Sequence, residues 1–80
     1  MPRYFFHVRR EQRQIDKEGE ELPDERAARN EATMMAGQML QGMAGQLQPG
    51  SEWRMEVADE FQNVLFVLHV KAEKPSSDDR

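Results

Sequence analysis

Val64-Leu65-Phe66-Val67-Leu68-His69-Val70-Lys71 (VLFVLHVK) carries apolar side chains at odd and even positions alike. Such a run, rich in β-branched and aromatic residues, reads as a strand with both faces covered. A strand of that kind belongs inside a sheet, with a neighbour on each side. The turn before it, Asp59 to Asn63, offers Asn63 for a left-handed conformation. Ahead of the turn, Glu52 to Ala58 alternates cleanly. Trp53, Met55 and Val57 point one way, Arg54 and Glu56 the other, so this strand has one buried and one wet face.

At the other end of the chain, Arg3 to Arg9 is again two-faced. Tyr4, Phe6 and Val8 oppose Phe5, His7 and Arg9, which makes it a second central strand. Polar residues Arg10 to Gln14 form a turn. A charged edge strand follows from about Ile15 to Leu22, interrupted at Gly19 by a bulge or a positive-φ turn. Leu22-Pro23-Asp24 opens a helix: proline pushes Leu22 out of the helical region and Asp24 caps the free N–H groups. The apolar stripe Ala28, Ala32, Met35, Ala36, Met39, Leu40, Met43 and Leu47 carries that helix to about Leu47, ahead of Pro49-Gly50. Its small residues permit close approach to a sheet. Within it, MAGQMLQG (35–42) and MAGQLQPG (43–50) form an imperfect repeat. The bland explanation is a marginal helix end weakened by Gly37, Gly42 and Gly45. The functional one is an adaptable methionine-rich contact surface.

These elements give an α+β domain of order ββαββ: a four-stranded sheet with one helix packed on one face. With the first and fourth strands central, the predicted strand order is 2-1-4-3, its central pair parallel. The rival order, 2-1-3-4, is wholly antiparallel and leaves VLFVLHVK at an edge, which invites aggregation. Residues 1–72 make one domain, and residues 73–80 (EKPSSDDR) read as a disordered tail.

Eighty residues without cysteine exclude a disulfide framework, a thiolate metal site and a thiol nucleophile. No apolar run reaches membrane-spanning length and no signal-peptide core is present, so a cytoplasmic location is expected. Net charge is −4, which disfavours a broad phosphate-binding surface and makes nucleic acid an unlikely partner. Charge is unevenly placed: residues 1–14 carry +3 and residues 15–25 carry −5. Pairing of those two segments would set opposite charges side by side.

The opening Met1-Pro2-Arg3-Tyr4-Phe5-Phe6-His7-Val8 resembles the start of short bacterial proteins grouped as a domain of unknown function. The likeness continues through Asp16-Lys17-Glu18-Gly19 and Glu21-Leu22-Pro23-Asp24, then Ala27-Ala28-Arg29 and Glu31-Ala32. It ends with Trp53-Arg54-Met55-Glu56-Val57, Asp59-Glu60 and the apolar strand beyond. Those proteins often carry glycine in the turn after Asp59-Glu60, where this chain has Phe61-Gln62-Asn63. The resemblance implies a shared fold over roughly residues 1–72 and no activity, so no catalytic residue carries over.

Alternation places Phe5, His7, Leu65, Val67 and His69 together on the face away from the helix, near Arg9 and Lys71. An exposed patch of this kind is a candidate homodimer interface. Nucleic-acid binding, with Phe5 stacking on a base, is the alternative; an antitoxin-like regulator is the fold-level analogy. A third possibility is a metal or small ligand held by His7 and His69, which would need a carboxylate such as Glu56 to complete it. The run Asp16, Glu18, Glu20, Glu21, Asp24 and Glu25 lacks the spacing of a calcium loop. No glycine-rich phosphate loop or serine triad is present. The expectation is a non-enzymatic interaction or regulatory module without a cofactor, working as a homodimer.

Overall fold

The computed structural model describes residues 1–75. Its elements are β1 (Arg3–Arg9), β2 (Arg13–Gln14), β3 (Glu20–Glu21), α1 (Glu25–Gly42), β4 (Glu52–Ala58) and β5 (Val64–Lys71). They form one open antiparallel sheet of five strands, ordered β2-β1-β4-β5, with β3 beside β2 on the outer side of β1. The helix lies on one face. The expected tail begins beyond β5. Residues 73–75 carry no helix or strand, and 76–80 lie outside the described residues.

Two features of the predicted sheet are corrected. The strand next to β1 is β4 and not β5, so the order 2-1-4-3 and its parallel pair do not occur. The wholly antiparallel rival does. β4 runs against β1 from Phe5↔Ala58 to Arg9↔Arg54, and against β5 from Glu52↔Lys71 onward. The reason lies in how completely each strand is covered. Trp53, Met55 and Val57 on β4 are almost wholly buried, Met55 at 0% exposure. They need α1 above and strands on both sides. The apolar residues of β5 need less, and Val64 and Val67 stay 51% and 44% exposed. Antiparallel pairing is also the slightly stronger ladder.

The second correction concerns the edge strand expected over 15–22. It breaks into β2 and β3, two residues each, with residues 15–19 looping out between them. The four-stranded sheet therefore has five strands. Gly19 adopts φ +70, and a Cβ there would meet Tyr4 O at 2.8 Å and Phe5 Cε2 at 2.9 Å. Only glycine fits that approach.

The helix begins as expected. Asp24 is the N-cap, its Oδ1 accepting the Ala27 N–H at 2.9 Å. It stops at Gly42, with Met43 as C-cap, and does not reach Leu47. Met43 to Leu47 continue as turns, with Gly45 at φ +82. Three glycines in nine residues remove the propensity that would extend it. Ala28, Ala32 and Ala36 are buried against the sheet, while Leu40 and Leu47 are more than a third exposed. The core is therefore Tyr4, Phe6, Val8, Trp53, Met55 and Val57 under a row of alanines and Met43.

Candidate functional site

The loop between β2 and β3 is organised by one carboxylate. Asp16 Oδ2 accepts the Phe6 N–H of β1, and Oδ1 accepts the N–H groups of Glu18 and Gly19, each at 3.1 Å. In return the Asp16 N–H donates to His7 Nδ1 at 3.1 Å. Asp16 thus stands where a third strand residue would have paired with β1. Burial alone would raise its pKa, but the Gly19, Phe6 and Glu18 donors, aided by the nearby His7, outweigh it and hold the carboxyl below its ordinary value.

This loop changes the face expected to be open. His7 is only 3% exposed, and its ring stacks with Phe5, centroids 6.4 Å apart and 13° from parallel. Gly19 lies against the Phe5 ring. Leu65 is the residue left unpaired by a bulge where Val64 faces Ala58 and Phe66 faces Val57. It packs against the core. Val67 and His69 remain exposed. The five residues grouped by alternation thus divide into a covered pair, a core contact and two exposed positions.

His7 and His69 do share a face, but not as neighbours. His7 stands opposite Glu56 and His69 opposite Arg54, with β4 between them. Two strand spacings, about 10 Å, separate their strands, which is too far for one ion to hold both. His69 Nε2 instead lies 3.2 Å from Glu52 Oε2.

Three features escaped the sequence reading. The first is a charged row. Arg13 pairs with Arg9, Arg9 with Arg54 and Arg54 with His69, so one line of basic residues crosses four strands on the face away from the helix. The even spacing of Arg9 and Arg13 about a hairpin was visible, but Arg54 joins them only once β4 is next to β1. The second is polarity along the strands. Glu20 and Glu21 lie beside the start of β1. Burial and then Glu25, Asp24, Asp59 and Glu60 raise the pKa of Tyr4, which places those acids around that end. The arginine row lies at the other end. The third is a cavity of ≈ 560 Å³ between Arg10, Met43, the segment 46–51 and Trp53. The Trp53 indole N–H is buried without an acceptor among the described residues.

The turn between β4 and β5 is also built on an aspartate. Asp59 Oδ1 accepts the N–H groups of Phe61 and Asn63 at 2.9 Å, and Oδ2 accepts Asn63 Nδ2 at 3.1 Å. The left-handed residue is Gln62 (φ 65), not Asn63 as expected. Phe61 projects into solvent, 83% exposed.

Fold and surface define an α+β domain with an antiparallel sheet covered on one side and an apolar free edge. Residues 3–71 match the family described as Domain of unknown function (DUF6894), and the chain belongs to it. No curated protein and no solved structure shows a significant match. No helix among the described residues is long and apolar enough to cross a membrane.

Proposed function

We propose that this domain is a protein-interaction module that works as a two-fold homodimer, joined at the free edge of β5. The observation that carries the reading is the state of that edge. It runs for eight residues with no proline; its one bulge lies at Val64–Phe66 and its one lysine at position 71. Edge strands normally carry such blocking features along their length. Phe66, Leu68 and Val70 are only half-buried beside α1, and Val64 and Val67 are exposed.

The strand is complementary to itself. A two-fold axis perpendicular to the sheet keeps side chains of like parity on the same face. Centred on Val67, it sets Val67 against Val67 and Phe66 against Leu68 of a second copy, within the regular part of the strand beyond the Val64–Phe66 bulge. No two like charges meet. A paired edge would satisfy the free backbone groups and cover the half-buried row, in the manner of strand addition.

Size exclusion with light scattering tests this. The wild type is expected at twice the 9.4 kDa chain mass. Val67→Lys, on the solvent side, is expected to be a folded monomer. A wild type that is monomeric at about 100 μM, a concentration that would populate even a weak specific dimer, overturns the reading.

A further inference from the structure

We propose that the row Arg13–Arg9–Arg54, closed by His69, is a docking surface for the phosphodiester chain of a nucleic acid strand. The inference uses the sheet face and does not depend on the pairing of β5.

The register is the first argument. Like charges directly opposite one another on neighbouring strands are destabilising. Here Arg13 faces Arg9 and Arg9 faces Arg54, with His69 next in line. Two carboxylates on the same face reach the outer members of the row: Glu56, two residues from Arg54 on β4, lies 3.6 Å from Arg13, and Glu52, two residues to its other side, 3.2 Å from His69. No ion pair among the described residues engages Arg9 or Arg54. The fold thus keeps two adjacent guanidinium groups outside any ion pair among the described residues, on the face away from the helix. An anion lying across them removes the repulsion.

Shape selects the anion. The row spans three strand spacings, about 14 Å, across the sheet. That suits an extended polyanion better than a single small ion. An acidic peptide is the competing occupant, but peptides dock on sheets through main-chain bonds at an edge. β1 and β4 are paired on both sides over this row, so the face offers a peptide no backbone groups. A phosphodiester chain needs none, because planar guanidinium forks hold its phosphates directly. Of the acids behind the net charge of −4, Glu52 and Glu56 share this face with the row, and Glu20, Glu21, Asp59 and Glu60 lie at the far end of the strands, around the start of β1.

Fluorescence anisotropy of a labelled oligothymidylate strand, titrated with the full chain at low salt, reads the binding. Arg9→Gln and Arg54→Gln are each expected to weaken it by about tenfold and to lower the slope of log K against log salt by about 0.7. Arg9→Gln should melt no lower than wild type, because it relieves a like-charge pair. Arg29→Gln, on the exposed side of α1, should bind as wild type does. The proposal is overturned by any of three results: no binding at about 100 μM protein, equal weakening by Arg29→Gln and Arg9→Gln, or capture of a polyglutamate peptide in place of the oligonucleotide.

Discussion

The two edges of this sheet are built in opposite ways. On the β2/β3 side, pairing with β1 is interrupted after two residues and resumes only for Arg3 and Tyr4. A side-chain carboxylate fills the gap, and Glu18, Glu20 and Glu21 line the outside. Arg3 is tied into the same edge, to Glu18 O at 2.8 Å and to Glu21 at 4.0 Å. A further strand would find little there to pair with. On the β5 side the ladder runs the length of the strand with one bulge at Val64–Phe66, and Val64 and Val67 are exposed. One edge has been closed with a glycine, an aspartate and a cluster of charges, while the other keeps its free hydrogen-bonding groups. That difference is what the proposed pairing through β5 rests on. That contrast supports assembly through β5 rather than through the broad face, where the 15–19 loop already covers Phe5 and His7.

The contrast breaks most readily at Gly19. Gly19→Ala places a Cβ within 3 Å of Tyr4 O, a backbone atom that cannot move alone, and at a φ of +70. A loss of about 3 kcal/mol is expected, combining the left-handed penalty with local displacement of β1. Urea unfolding measures it. Asp16→Asn should have a smaller effect, about 2 kcal/mol, since one of two acceptor oxygens becomes an amide that cannot serve the N–H groups it faces. Its pH dependence separates it from a packing defect. The Asp16 pKa is lower in the fold than in the unfolded chain. Its contribution is therefore complete above the unfolded value of about 3.9 and disappears as pH falls through the folded value. The wild type should lose stability over that acid range more steeply than the variant. Asp59, also held low, by its Asn63 and Phe61 bonds, supplies the slope that remains.

Much of this was readable from residues. Strand limits at 3–9, 52–58 and 64–71 followed from alternation, and the Asp24 cap from Leu22-Pro23-Asp24. The strand order did not follow, because two-faced apolarity in β5 points to two neighbours and the strand has one. Hydropathy records what a side chain would prefer, and an apolar edge strand looks the same as an interior one. The Asp16 loop was hidden for a different reason. Asp-Lys-Glu-Gly signals a turn, but that its carboxylate reaches back to the Phe6 N–H is a tertiary fact. The same holds for His7, whose exposure depended on a loop that alternation cannot place. The arginine row needed the register of three strand pairs before it existed at all.

The smallest expected effect concerns the turn that delivers β5 to its edge. Both aspartate-centred loops contain one left-handed residue: glycine at position 19, but glutamine at position 62. A side chain in that region costs about 1 kcal/mol, and glycine's extra freedom in the unfolded chain offsets part of the gain from removing it. Phe61 and Asn63, on either side, hold the Asp59 bonds and are unaffected by the change. Gln62→Gly should therefore stabilise the protein by about 0.5 kcal/mol, raising the melting temperature by about 2–4 °C. The edge itself is untouched, so the solution mass should stay that of the wild type. A variant that melts higher and keeps that mass separates hairpin stability from edge pairing. A fall in mass would show that the turn, with Phe61 exposed beside it, belongs to the contact.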